Sequence, residues 1–278
     1  MSESAPARIL VPTDFSDLAT RALQYAVEIA KRAGSEILVM YADPFEPPLR
    51  FTAGQVPGLV EALKKSKDVV SHELQEYSRK HAPGIRLRGA VIEGTPATSI
   101  LQAAESSQAD LIVMGTHGRS GVGRLLMGSV AERVLHETRI PLLTVREGHP
   151  LAIRKIVCPI NFTETASLAL REAGSMASLF GANLVILHVI EGAALGDEEL
   201  QHRAEDWVRS ESSLTGVDTF VLRGNAAEQV IDYSRSNRVD LIVLGAEHRR
   251  FSDSSVLGTT VVRVTRHAPV PVLTVMNR

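Results

Sequence analysis

Gly115, Gly118, Gly121, Gly123 and Gly128 punctuate the stretch GTHGRSGVGRLLMGSVAERV at residues 115 to 134. Backbone without side chains takes positive φ and turns successive N–H groups toward one point, a geometry that holds an oxyanion. Gly128 and Ser129 then open a helical pattern, and Ser129 with Glu132 three residues on reads as a capping box. A helix start offers unpaired N–H groups and about half a positive charge, which suits a phosphate. Arg119 and Arg124 add cationic groups. This is binding chemistry done by backbone. His117 could serve as a base, but no serine, cysteine or acid paired with it is legible, and a loop residue touching ligand or solvent is its plainer reading. A glycine-rich loop before an ordinary capped helix is the plain alternative for the whole stretch. The spacing lacks GxxxxGK[ST], and no GxGxxG follows the first apolar run, so neither a P-loop nor a dinucleotide fingerprint is present.

Such a loop needs elements to hold it. Residues 8 to 13, 36 to 42, 85 to 92, 110 to 114 and 141 to 145 read as strands; 16 to 33, 59 to 81, 96 to 107 and 129 to 138 read as helices. Runs such as ILV and LIVM lack polar alternation, as strands covered on both faces do. Strand and helix alternate, which predicts an α/β doubly wound parallel sheet, with the ligand crevice at the carboxyl ends of the strands where their order reverses. The pattern occurs twice. ARILVPTDFS (7 to 16) matches RKIVCPINFT (154 to 163) at an offset of 147, which also carries Ala22 to Ala169, Ala30 to Ala177 and Gly34 to Gly181. ADLIVMG (109 to 115) matches VDLIVLG (239 to 245), and IPLLTV matches VPVLTV, now at an offset of 130. The second copy is 17 residues shorter between these anchors, the loss falling after its second strand. REGHPLA (146 to 152) reads as the join, giving domains at 1–147 and 152–278.

With VPTDFS (11 to 16), Gly115-x2-Gly118-x9-Gly128-Ser129 and the closing PLLTV on the page, the chain resembles the universal stress protein family in its tandem form. The resemblance covers nearly the whole chain. It implies two Rossmann-like domains and, from the glycine spacing, ATP binding in the first. Carried over residue by residue, Pro12, Thr13 and Asp14 wall the nucleoside side, and Ala42 stands where valine is usual. Met114 and Gly115 pass under the ribose, Gly118, Gly128, Ser129 and Val130 surround the phosphates, and Arg119 adds charge. Asp14 would bond the nucleoside or help hold a divalent ion; a cap for the helix near Ser16 is its plainer reading. Mg2+ is implied only through the nucleotide, since no carboxylate cluster marks a metal cage. The closing strands would pair across an intramolecular pseudo-dimer, and a homodimer is conceivable beyond it.

The second copy departs from that pattern. Asn161 replaces the counterpart of Asp14, His248 stands where Gly118 would be, and Asp253 brings negative charge, although Gly258 and Thr259 keep the helix opening. Weak or absent ATP binding is expected there, with a role as structural or regulatory partner. Arg249 and Arg250 leave room for a different anion. The other signals are plain: Cys158 reads as an inert core thiol, Lys64, Lys65 and Lys67 as a solvated helix face, and residues 43 to 58 as a lid or partner-contact loop, with disorder an equal alternative. A net charge of −2 and 4% aromatic residues argue against a nucleic-acid partner. One cysteine, no apolar run of membrane length and no leader-like start point to the cytoplasm. The reading is an ATP-binding stress or signalling protein without an evident catalytic group and with an unidentified protein partner. An interaction module without ligand, and a nucleotide-hydrolysing enzyme, are the alternatives.

Overall fold

The computed structural model describes residues 5–44, 56–118, 127–192, 197–212, 214, 216–251 and 254–277. The first copy runs β1 (Arg8–Thr13), α1 (Asp17–Ala33), β2 (Glu36–Asp43), α2 (Val56–His81), β3 (Leu87–Glu93), α3 (Pro96–Ser106), β4 (Leu111–Gly115), α4 (Ser129–Glu137) and β5 (Leu142–Val145). The second runs β6 (Lys155–Ile160), α5 (Glu164–Phe180), β7 (Asn183–Ile190), α6 (Asp197–Glu211), β8 (Asp218–Arg223), α7 (Ala226–Ser236) and β9 (Leu241–Ala246). It then inserts a hairpin, β10 (His248–Phe251) and β11 (Ser254–Leu257), before α8 (Thr259–His267) and β12 (Val272–Met276).

All strands except the hairpin join one ten-stranded sheet in the order β3-β2-β1-β4-β5-β12-β9-β6-β7-β8. Within each copy the pairing is parallel, and the order reverses between β1 and β4 and again between β6 and β9. The copies meet where β12 runs antiparallel to β5, with Leu273 opposite Leu143. Two buried hydroxyls lock this seam reciprocally: Thr144 Oγ1 donates to the Val272 carbonyl and Thr274 Oγ1 to that of Leu142, each at 3.2 Å. The two copies thus form a pseudo-dimer inside one chain.

Strands without polar alternation are explained by their two buried faces. Ile9 and Val11 point into one core layer and Leu10 into the other; Leu111 and Val113 oppose Ile112 and Met114 in the same way. Each layer runs through both copies, since Leu143 and Leu273 share one and Leu142 and Val272 share the other. Burying one such side chain fully contributes about 1.5–3 kcal/mol.

The helices behind the repeat signals start and stop alike. Ser16 caps α1 by accepting from Ala19 N–H, and Thr163 caps α5 by accepting from Ala166 N–H. Both helices end at a glycine in the left-handed region, Gly34 at φ 74° and Gly181 at φ 63°. The hairpin is an addition to the sequence reading, which assigned no element there. Residues 45 to 55 of the expected lid lie outside the described residues, and α2 starts at Val56, three residues before its predicted start.

Candidate functional site

At the first reversal of strand order, a cleft of about 350 Å³ opens at the carboxyl ends of the strands. Pro12, Thr13 and Asp14 reach it from β1, Ala42 from β2, and Met114, Gly115 and Gly118 from the end of β4. Gly128, Ser129 and Val130 bring the N-terminus of α4. Every site residue expected from sequence therefore lines one cleft except Arg119, which lies outside the described residues, as do Gly121, Gly123 and Arg124. The wall also includes Pro44, from the segment read as a lid, and Tyr41, Pro96 and Ile100, which the sequence reading missed. Thr95-Pro96 was the available signal: a proline at the first helical position starts α3. Its N-terminus, like that of α4, borders the strand ends.

The turn after β1 is held by its own side chains. Thr13 Oγ1 accepts from Phe15 N–H at 3.0 Å, and Asp14 Oδ1 accepts from Ser16 N–H at 3.1 Å and Ser16 Oγ at 2.6 Å. Phe15 sits at φ 62°, a conformation costly for an L residue. Its ring is fixed by stacking on Tyr41 at 5.2 Å and meeting Tyr77 edge-on at 5.3 Å. Asp14 is thus not the cap of α1 but the support of the capping Ser16. Asn161 does the same in the second copy, where Thr163 Oγ1 donates to its Oδ1 at 2.7 Å and Phe162 repeats the left-handed backbone at φ 59°. An Asx residue at this position is explained by the cap. The negative charge of Asp14 is not, because an amide suffices.

The glycines have steric reasons. A Cβ on Gly118 would collide with the Asp14 carboxylate, and one on Gly128 would press on His117 Cα at 3.3 Å and the Thr116 carbonyl at 3.4 Å. Gly128 N–H donates to that carbonyl at 2.7 Å, tying the start of α4 to the end of β4. The capping box needs correction. Gly128 is the cap and Ser129 the first helical residue, with no side-chain bond at the cap. Glu132 lies one position too far on for the reciprocal bond, and its carboxylate pairs with Arg266 of α8 instead. The α4 N–H groups beside the cleft are therefore not used up by a serine cap.

His117 also lines the cleft, its Nδ1 3.2 Å from Thr116 Oγ1 and its Nε2 3.6 Å from a Glu147 carboxylate oxygen. Cys158 is fully buried in β6, and burial pushes its thiol up to about 12, which leaves it unreactive. Lys67 pairs with Glu93 on an exposed face.

A second cleft, of about 240 Å³, occupies the matching place in the second copy. Pro159, Asn161, Val189, Leu244, Gly245 and the α8 start at Gly258–Thr260 take the positions of Pro12, Asp14, Ala42, Met114, Gly115 and Gly128–Val130. Residue 248, where the first copy has Gly118, begins the β10 strand.

Fold and cleft together define a class: a doubly wound α/β protein with two tandem copies, each presenting a helix start at its strand ends. The universal stress protein family model matches residues 7–146 and again 152–276, so the chain belongs to that family and carries its domain twice. A universal stress protein of Methanocaldococcus jannaschii is 35% identical over 141 residues, 50% of this chain and 82% of that protein. One from Thermus aquaticus is 37% identical over 144 residues, 50% of this chain and 97% of its own. The crystal structure of a universal stress protein from Archaeoglobus fulgidus covers 97% of this chain and 98% of that one, with a TM-score of 0.75 at 24% identity. That likeness spans both copies and speaks for the fold.

Among the described residues, no helix is long and apolar enough to cross a membrane.

Proposed function

We propose that the first cleft binds an adenine nucleotide, ATP above all, and that its occupancy biases the conformation or partner contacts of a cytoplasmic stress-response or signalling protein. The base and ribose lie along Pro12, Thr13, Asp14, Ala42 and Met114. The phosphates lie against the backbone of Gly115, Gly118, Gly128, Ser129 and Val130, with Arg119 adding charge and any Mg2+ arriving with the nucleotide. What supports this most is the convergence of glycine backbone, at positions where a Cβ would crowd its neighbours, on a helix start without a side-chain cap within one nucleotide-sized cleft. Apolar Pro44, Pro96 and Ile100 give the other end the character a base requires.

The second copy acts as a structural or regulatory partner. The experiment is equilibrium binding of ATP to the wild type and to Gly118→His. One equivalent per chain is expected, with the variant weakened by about a hundredfold or more, since its side chain meets Asp14 and fills the anion position. Unchanged affinity overturns the reading.

A further inference from the structure

A groove of about 420 Å³ lies outside both clefts, along the second half of α5. Because α5 runs back from the carboxyl end of β6, this half lies toward the amino ends of the strands. Arg171, Gly174, Ser175 and Ser178 form its floor, Ser212 and Leu214 close it from the segment after α6, and the start of the chain reaches it at Ala5. Gly174 makes that wall possible. A Cβ there would stand 3.2 Å from Leu214 Cδ2, whereas the matching position of α1 holds buried Val27.

The polar groups on the floor are free. Helical serines elsewhere return their hydroxyl to a carbonyl one turn back, as Ser167 does to Thr163 at 3.3 Å and Ser234 to Val230 at 2.7 Å. Among the described residues, Ser175 and Ser178 make no such bond and have no other hydrogen-bond partner, and Arg171 has no acidic partner. Ser212 differs, since it donates to the Val208 carbonyl at 2.8 Å. Arg171, Ser175 and Ser178 stand at i, i+4 and i+7 and therefore share one face of α5. On the matching face of α1 the polar groups are paired among themselves. Gln24, in the place of Arg171, accepts from Arg21 Nη1 at 3.1 Å; Glu28, in the place of Ser175, pairs with Arg32 at 2.7 Å and Lys31 at 3.6 Å. In the second copy the acid is gone and a cation faces the groove with two hydroxyls.

From these observations we infer that the α5 groove binds a small phosphomonoester whose body carries hydroxyl groups, a polyol or sugar phosphate. The Arg171 guanidinium offers a planar fork of N–H donors to two phosphate oxygens, and the Ser175 hydroxyl donates to the third. A carboxylate would be used up by the fork alone. The partial negative charge at the end of α5 is confined to its last turn, which holds Ser178 but neither Arg171 nor Ser175. The phosphate therefore sits before that turn, and the ligand's hydroxyls lie along it, against Ser178 and the end of α6. The volume leaves room for such a body beside the phosphate. This site is separate from both clefts and does not depend on the nucleotide reading of the first.

The test titrates glycerol 3-phosphate into the full-length chain at low salt, with inorganic phosphate and glycerol as separate arms, and follows amide hydrogen exchange. Binding is expected to slow exchange over residues 171 to 178, at least about tenfold more tightly than inorganic phosphate, with glycerol alone unbound. Arg171→Gln should weaken it by at least about tenfold. Ser175→Glu, which imports the matching residue of α1, should abolish it by repulsion. Both changes lie on a helix surface, and melting curves check that the variants fold. Absence of binding, binding that survives both variants, or exchange slowed only around Gly115 and Gly128 overturns the inference. Inorganic phosphate bound as tightly as the ester overturns the choice of a hydroxyl-bearing body.

Discussion

The two clefts share a backbone plan, and one of their differences is a spacer. Leu18 in the first turn of α1 has Thr165 as its counterpart in α5. In the first copy the Leu18 side chain lies against Gly115, with Cγ 2.7 Å from where a Cβ would project. In the second no large side chain intervenes, and the Thr165 carbonyl itself rests on Gly245. The helix backbone thus comes closer to the strand, and the second cleft is the smaller, at about 240 Å³ against 350 Å³. A glycine conserved between the copies serves two purposes: room for a side chain in one, contact with backbone in the other.

The largest effect that would break this contrast is steric. Gly245→Ala is expected to destabilise by about 3 kcal/mol, because the methyl meets backbone that cannot turn aside. Gly115→Ala is expected to cost about 1 kcal/mol, because the Leu18 side chain can move to another rotamer. Urea unfolding midpoints measure both, and equal costs would end the spacer account.

A second contrast is smaller. Half-buried Arg146, just past β5, donates through Nη2 to the carbonyls of Thr265 and Arg266 at the end of α8. The matching position in the second copy is apolar Met276, so this particular contact has no counterpart running the other way. Arg146→Ala should cost about 1–3 kcal/mol of stability and speed exchange of amides in the last turn of α8 ahead of those in α4. Equal protection of the two helices would count against it.

The smallest effect is pH-dependent and sharpens the comparison at the matching positions 25 and 172. Tyr25 is fully buried and donates to the Pro150 carbonyl at 2.7 Å; its counterpart is Glu172, whose carboxyl is held above its ordinary value by burial. A raised value means the folded state holds that proton more tightly than the unfolded chain does. Stability contributed by the protonated form is complete below the ordinary carboxylate range and is lost as pH climbs through the raised value. Glu172→Gln should therefore be more stable than the wild type at neutral pH, with the two converging in acid. Melting temperatures across that range check it, and a constant difference would refute it.

Much of this was legible in the sequence because repeats and periodicity report on strands and helices directly. The first nine elements fall within three residues of their predicted bounds, since unbroken apolar runs and glycine stops are local signals. The hairpin of the second copy was not legible. HRRF and SSVL are short and polar, and only their pairing with each other, Arg250 opposite Ser255, makes them strands. The capping box failed for a related reason: Ser-x-x-Glu is a local pattern, and the tertiary bond from Gly128 N–H to the Thr116 carbonyl places the cap one residue earlier. Tyr41, Pro96 and Ile100 went unnoticed because they enter the cleft from elements that carry no glycine signature, whereas Pro44 belongs to the segment read as a lid.

The antiparallel seam of β5 and β12 has a consequence for how such a protein can change. In a pair of identical chains every substitution is made twice, once in each partner, and a loss at one site is a loss at both. Here the partners are covalently joined in fixed one-to-one proportion, and dilution cannot separate them. A substitution such as His248 or Glu247 is therefore made once. One copy can keep its cleft unchanged while its twin departs from it, and the chain stays a matched pair at any concentration.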